Sequence, residues 1–162
     1  MLKNQLWNFK NIFNIFNKNS ANKIKQLPNE LEELYICALS GYKNAYAPYS
    51  NFQVGAAVEL KNGKTVIGSN IENASYGLTN CAERSALFSV YSMGFRKEDI
   101  VRILIVGDTK TPVSPCGACR QVISELMEKD SEVVLTNLNK DCLIYKVSEL
   151  LPYSFTEGDL NE

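Results

Sequence analysis

The sequence contains no histidine, and this absence restricts the chemistry that the protein can use. Histidine is the commonest metal ligand and the side chain best suited to proton transfer near neutral pH. Without it, a zinc site must be built from thiolates or carboxylates. A general acid or base must likewise be a Glu, Asp, Lys, Tyr or Cys side chain.

The 162-residue chain also lacks any hydrophobic run near the roughly 18 residues that a membrane-spanning helix needs. It lacks a basic excess, since its formal net charge is -1, and this argues against a nucleic-acid partner. Apolar residues make up 45% and charged residues 22%, which is ordinary for a globular protein. We therefore expect a soluble, cytoplasmic protein with one compact domain.

The first 28 residues differ in composition from the rest. Residues 1–29 carry five lysines but no arginine and no acidic residue, which leaves the remainder with a net charge of -6. We interpret 1–28 as a basic, Asn-rich extension, either disordered or an amphipathic helix, and 29–162 as the functional domain. Packing against the protein's own surface and contact with a membrane are alternatives, and membrane contact is the least favoured. The apolar positions that predict the helix are Leu2, Leu6, Phe9, Phe13 and Phe16.

Beyond the extension, the pattern predicts a layered α/β fold. A helix starts near Asn29, its expected N-cap, and ends before Pro48. Two strands, 53–60 and 64–71, flank an Asn62-Gly63 turn, and a buried strand covers 100–106. Helices are predicted over 81–93 and 117–129, and two last strands near 132–138 and 142–147. This order predicts a three-layer α/β/α domain around a central mixed five-stranded sheet.

Five cysteines form an odd number, and the chain has no recognisable signal peptide, so we expect reduced thiols. Cys81 opens one predicted helix, and Cys116 and Cys119 open another. A helix N-terminus favours thiolate, the form that binds metal. Three thiolates would leave a fourth zinc position for water, as in catalytic sites. A redox Cys116–Cys119 pair and a purely structural zinc site are the alternatives, and both leave Glu83 unexplained.

These residues carry a resemblance to a known family. Cys81-Ala82-Glu83-Arg84 and Pro115-Cys116-Gly117-Ala118-Cys119 resemble the Cys-Ala-Glu and Pro-Cys-x-x-Cys motifs of the small, homotetrameric cytidine deaminases, a signature typical of zinc deaminases. The likeness runs from about Pro48 to Phe155, and residues 1–28 lie outside it. It implies a deaminase-like fold and the hydrolysis of cytidine and deoxycytidine to uridine and deoxyuridine plus ammonia, in pyrimidine salvage.

The resemblance also assigns roles to residues. Cys81, Cys116 and Cys119 would bind one Zn²⁺ per chain, which activates a water for attack on C4 of cytosine. Glu83 would shuttle protons, and Arg84 would hydrogen-bond the cysteine sulfurs and withdraw charge from them. The substrate contacts implied by the resemblance are Phe52, Asn70, Glu72, Ala82, Ser114 and Phe155. Of these, Phe155 would come from a neighbouring subunit.

Asn70 and Glu72 are the residues that would hold the ribose hydroxyls. We expect both on one strand, where a spacing of two puts side chains on the same face. A carboxylate there would repel a phosphate, so free nucleosides are favoured over nucleotides. Related deaminases of modified nucleosides remain an alternative, as does a non-catalytic zinc module in which Glu83 has no role. The net charge of -6 argues against a polynucleotide substrate.

Overall fold

The computed structural model describes residues 23–160, which form one mixed sheet with helices packed on both faces. The helices are α1 (Glu32–Lys43), α2 (Ala82–Ser92), α3 (Gly117–Leu126) and the short α4 (Val147–Leu150). The strands are β1 (Lys25–Gln26), β2 (Val54–Leu60), β3 (Thr65–Ser69), β4 (Ile100–Gly107), β5 (Glu132–Asn137) and β6 (Asp141–Lys146). Their order across the sheet is β1-β6-β5-β4-β2-β3, with β4 and β5 parallel and the other neighbours antiparallel.

Strand β4 shows why the domain has three layers. Its side chains are buried on both faces, and they alternate between two hydrophobic clusters. Ile103 and Ile105 pack into the cluster beneath α2 and α3, whereas Leu104 and Val106 pack into the cluster beneath α1. Successive strand residues point to opposite faces, so a continuous apolar run needs cover on both sides. The predicted three-layer α/β/α fold is therefore confirmed.

The sheet has six strands, not the predicted five. The additional strand is β1, whose residues Lys25 and Gln26 pair with Cys142 and Asp141 of β6. Both β1 residues fall in the segment that the sequence analysis assigned to the N-terminal extension. A two-residue strand has no periodicity to read, and its existence depends on a partner more than one hundred residues away.

Other local predictions met mixed outcomes. The hairpin at Asn62-Gly63 is confirmed, and Gly63 has a φ of 82° in the turn between β2 and β3. Asn29 is not an N-cap, because it is the first residue of a 3-10 helix (Asn29–Leu31) that runs into α1. Helix α3 ends three residues before the predicted Lys129.

The predicted amphipathic helix from Leu2 to Phe16 lies outside the described residues. Within 23–160, no helix combines the length and the apolar character that crossing a membrane requires.

Gly68 of β3 fixes the position of α2 on the sheet. A Cβ atom at Gly68 would overlap the carbonyl oxygen of Ala82 and the amide nitrogen of Ala86. Ala82 and Ala86 are themselves completely buried against the sheet. Small residues on both elements thus bring the N-terminus of α2 close to the sheet edge, and this sets the place of Cys81 and Glu83.

Candidate metal centre and adjoining cavity

Two helix N-termini bring three cysteine sulfurs together. Cys81 is the N-cap residue of α2 and Cys116 is the N-cap residue of α3, while Cys119 lies in the first turn of α3. Their Sγ atoms all lie within 4.8 Å of one another, and those of Cys81 and Cys116 are 4.0 Å apart. Cys119 is completely buried, Cys81 is half-buried and Cys116 is exposed. The predicted cluster is therefore present, with one side open.

The local field favours a thiolate at Cys81. A hydrogen bond from the Cys119 thiol and another from Arg84 hold the pKa of Cys81 at about 5. The same contact with Cys81, together with burial, raises the pKa of Cys119. Unpaired N–H groups at the start of each helix add to the stabilisation of negative charge.

Glu83 is a buried carboxyl beside this cluster. It lies in the first turn of α2 with 4% of its surface exposed. Burial raises the pKa of Glu83, and the nearby Cys81 acts in the same direction. A carboxyl group with a raised pKa can both accept and return a proton near neutral pH, which a solvated carboxylate does poorly.

Arg84 connects the cluster to the loop that precedes α2. Its Nη2 atom donates to the Sγ of Cys81 at 3.7 Å and to the carbonyl oxygen of Thr79 at 3.3 Å. The contact with Cys81 raises the pKa of Arg84, so the guanidinium remains charged. The predicted contact between Arg84 and a cysteine sulfur is thus present at Cys81.

The three sulfurs fit a zinc ion. Tetrahedral sulfur ligands at about 2.3 Å from zinc lie about 3.8 Å apart. The 4.0 Å separation between Cys81 and Cys116 is close to that value. Within 23–160, Cys81, Cys116 and Cys119 are the only group of three or more potential ligands that the structure brings together. The spare cysteines Cys37 and Cys142 lie elsewhere, so a fourth position is left for water or substrate.

A cavity of about 410 Å³ lies beside the loop that precedes α2. It is lined by Tyr49, Ser50, Glu72, Tyr76 and Thr79. Thr79 joins it to the metal centre, because the Thr79 carbonyl accepts from Arg84, which contacts Cys81. The rings of Tyr49 and Tyr76 meet edge to face with centroids 6.1 Å apart. The lining contains one acidic and no basic side chain among the described residues.

The sequence analysis expected Asn70 and Glu72 on one strand, but neither residue is on a strand. β3 ends at Ser69, and Ile71 forms isolated bridges with Tyr46 and Asn80. Ile71 thus contacts two other segments of the chain, and the ladder of β3 does not extend to Asn70 or Glu72. Only Glu72 lines the cavity.

Both side chains instead hold the loop that precedes β2. The Asn70 amide accepts from the Val54 N–H at 2.8 Å and donates to the Phe52 carbonyl at 2.9 Å. The Glu72 carboxylate accepts from the Tyr49 N–H at 2.9 Å and from both the backbone and the hydroxyl of Ser50. The Ser50 hydroxyl is the main reason that the pKa of Glu72 is lowered.

The remaining predicted contacts, Phe52, Ala82, Ser114 and Phe155, do not line the cavity. Phe52 and Phe155 are 41% and 57% exposed, so neither belongs to the core of this chain. Ala82 is buried at the start of α2. Ser114 is exposed in the loop before Cys116, and its hydroxyl accepts from Arg120.

Sequence reasoning did not assign Tyr49, Ser50, Tyr76 or Thr79 to the site. All four lie within the stretch from Pro48 to Phe155 over which the resemblance runs, but the resemblance was not used to give them a role. For Arg120, the sequence offered no indication of a functional role except its position next to Cys119.

The chain is similar to proteins of a known family. Residues 28–136 match the family model described as the cytidine and deoxycytidylate deaminase zinc-binding region. A cytidine deaminase of Halalkalibacterium halodurans is 58% identical over 125 residues, which cover 77% of this chain and 93% of that protein. A cytidine deaminase of Sporosarcina psychrophila is 45% identical over 132 residues, covering 82% of this chain and 96% of that protein.

Solved structures give the same result. The crystal structure of a cytidine deaminase from Burkholderia pseudomallei superposes with a TM-score of 0.75 and 50% sequence identity. The alignment covers 76% of this chain and 98% of that one. Nearly the whole length of these relatives is thus matched.

Proposed function

Since the chain belongs to the cytidine and deoxycytidylate deaminase family, we propose that its cavity binds free cytidine and deoxycytidine and that Glu83 moves the protons of the reaction. The protein is a zinc-dependent hydrolase that converts cytidine to uridine and ammonia. The observation that carries the assignment of residues is the buried Glu83 carboxyl beside three converging cysteine sulfurs.

We assign the zinc ligands to Cys81, Cys116 and Cys119. When bound, zinc would lower the pKa of a water molecule, so that the water could lose a proton near neutral pH and become a nucleophile for C4 of cytosine. Arg84 donates to the Cys81 sulfur and draws charge from it, which offsets the excess of thiolate charge at the site.

Glu83 does the proton transfers. In its ionised form it accepts a proton from the attacking water, and in its protonated form it donates that proton to N3 of the ring. It then accepts a second proton from the hydroxyl now on C4 and donates it to the amino group, which leaves as ammonia. Burial supports this cycle because it raises the pKa of Glu83, so that both forms are accessible. The exclusion of bulk water at 4% exposure also keeps the proton within the site.

Glu72 favours a free nucleoside. Its carboxylate lines the cavity, where it would accept hydrogen bonds from sugar hydroxyls and repel a phosphate. Tyr49 and Tyr76 give the cavity aromatic walls suited to a base or a sugar face. Phe52, Asn70, Ala82 and Ser114 complete the proposed substrate contacts, with Asn70 acting through the Phe52–Val54 backbone that it holds.

We also propose a homotetramer in which Phe155 completes the site of a neighbouring subunit, in a cytoplasmic enzyme of pyrimidine salvage. Exposed aromatic and aliphatic side chains support this assembly, because a monomer would leave them in water. They include Tyr46, Ile71, Tyr76, Leu78 and Phe155. Light scattering tests the mass, and activity that falls on dilution into monomers would support a shared site.

The deciding experiment measures the loss of ultraviolet absorbance with cytidine, deoxycytidine and dCMP, alongside zinc analysis of the same sample. We expect turnover of both nucleosides, about one zinc per chain, and poor turnover of dCMP. If dCMP were the best substrate, the role given to Glu72 would be wrong. Full zinc occupancy without turnover of either nucleoside would overturn the proposed substrate but not the metal site.

A further inference from the structure

Arg120 connects the metal centre to the C-terminal part of the chain. It lies in α3 next to Cys119, and its guanidinium turns back past the start of that helix. Nε donates to the Pro115 carbonyl at 2.9 Å, Nη2 to the Ser114 hydroxyl at 2.6 Å and Nη1 to the Leu150 carbonyl at 3.4 Å. These three acceptors are uncharged oxygens, so the side chain positions backbone and hydroxyl groups instead of neutralising an acid.

Two of these bonds fix the loop immediately before a metal ligand. The backbone N–H of Val113 donates to the Thr136 carbonyl of β5 at 3.0 Å, which anchors the start of the loop. Arg120 holds the end of it at Ser114 and Pro115, and Cys116 follows directly. Without the guanidinium, Ser114 and Pro115, which lie between Val113 and Cys116, would lose the hydrogen bonds that restrain them.

The third bond reaches the segment that carries Phe155. Leu150 is the last residue of α4, and the chain runs from there to Ser154 and Phe155. α3 holds that segment at two more points, since Ser124 bonds Ser154 and the Gln121 amide donates to the Phe155 carbonyl at 2.8 Å. The Arg120 guanidinium therefore connects the loop before Cys116 to Leu150, where the C-terminal segment begins.

We propose that Arg120 is a positioning residue for this reaction: it sets the place of the Ser114–Pro115 backbone and thereby the affinity for substrate and the retention of the metal. The first part rests on the proposed function, because it takes Ser114 as a substrate contact. A guanidinium suits this role because its planar fork presents several donors at once, whereas a lysine ammonium cannot match three separated acceptors in that plane.

The test compares Arg120→Gln and Arg120→Lys with the wild type, measuring KM and kcat for cytidine and the rate of zinc loss to a chelator. The matched control is Arg102→Gln, since Arg102 is a part-buried arginine that pairs with Glu59 and Glu132 on the sheet. We expect Arg120→Gln to raise KM about tenfold, with a smaller change in kcat, because a misplaced contact weakens binding before it affects the chemistry. The KM of Arg120→Lys should lie between those of the wild type and Arg120→Gln. Both variants should lose zinc to the chelator faster than the wild type.

Arg102→Gln should lower the melting temperature without changing KM or zinc release. A KM and a zinc-release rate unchanged in both Arg120 variants would overturn the proposal, even if the variants were less stable. If Arg120→Gln did not fold, Arg120→Lys would carry the same comparison. A wild type that failed to deaminate cytidine would contradict the proposed function, and the zinc-release rates would then still decide the role of Arg120.

Discussion

The cysteine cluster and the cavity beside it are held in place in different ways. In the cluster, Glu83 and Cys119 are buried, and the two helices that carry the ligands pack on the main hydrophobic core. In the cavity, Tyr49 and Tyr76 are 47% and 75% exposed, and hydrogen bonds from a few polar side chains hold the loops.

This difference indicates that the cluster and the cavity have separate functions, the first in the chemical step and the second in substrate selection. The groups that do chemistry need positions fixed to fractions of an ångström, which close packing around helix starts provides. The groups that select the substrate lie on loops with few buried contacts, where sequence can vary without loss of the fold. Substitutions in the cluster should therefore affect metal binding and kcat, and substitutions in the cavity should mainly affect KM.

The largest effect is expected for Cys119→Ser in the cluster. A serine hydroxyl is a much poorer zinc ligand than a thiolate, so both the metal and the activity should be lost. Zinc analysis and the cytidine assay measure this directly. Cys37→Ser is the control, because Cys37 lies in α1, on the opposite face of the sheet, and should retain zinc. Equal zinc contents in the two variants would remove Cys119 from the ligand set.

Next in size is Glu83→Gln, which removes the proton shuttle and leaves the ligands in place. We expect kcat to fall by about a thousandfold, within the range for the loss of a general acid–base, while zinc stays bound. The surface variant Glu128→Gln should behave as the wild type. If Glu83→Gln kept most of its activity, another group would have to carry the proton.

A smaller effect is expected for Glu72→Ala in the cavity, where KM should rise about tenfold as the hydrogen bonds to the loop and the sugar are lost. The KM of Glu72→Gln should lie between those of the wild type and Glu72→Ala, because glutamine keeps an acceptor atom but loses the charge. A change in kcat with KM unchanged would contradict the division between the two regions.

Glu72 also predicts a pH effect on the loop. Its pKa is lowered in the folded protein, first by the Ser50 hydroxyl, so it binds protons less readily there than in the unfolded chain. Its contribution to stability is therefore complete above the ordinary carboxyl pKa and is lost as the pH falls through the lowered value. Unfolding of the wild type and of Glu72→Gln at decreasing pH measures this effect. The wild type should lose the stability that ionised Glu72 contributes, and Glu72→Gln should show no such loss.

The smallest effect on activity is expected far from both regions, at the β1–β6 edge. Removal of residues 1–27 should cost about 1–3 kcal/mol more than removal of 1–23, because it also removes the β1 pairing and the partly buried Leu27. Urea unfolding measures the difference. Neither truncation should change KM, and if both unfolded alike, β1 would contribute nothing to the domain.

Much of the fold could be predicted because its signals are local. The apolar run of β4, the Asn62-Gly63 turn and the helix starts at Cys81 and Cys116 each follow from a few neighbouring residues. The predicted end of α3 was wrong because the last turn is decided by packing, and Met127 turns out of the helix with a ψ of 154° while its side chain is buried.

By itself, the sequence limited the kind of metal site that this protein can build. Without histidine, three cysteines at helix starts and one neighbouring glutamate leave few alternatives to a thiolate zinc centre, because ligand identity and local spacing are properties of the chain alone. Only the tertiary structure decided that Glu72 holds Ser50, that Arg120 reaches Leu150 and that Lys25 pairs with Cys142. Each of these contacts joins segments 22 or more residues apart, and which distant groups meet is set by the packing of the helices on the sheet.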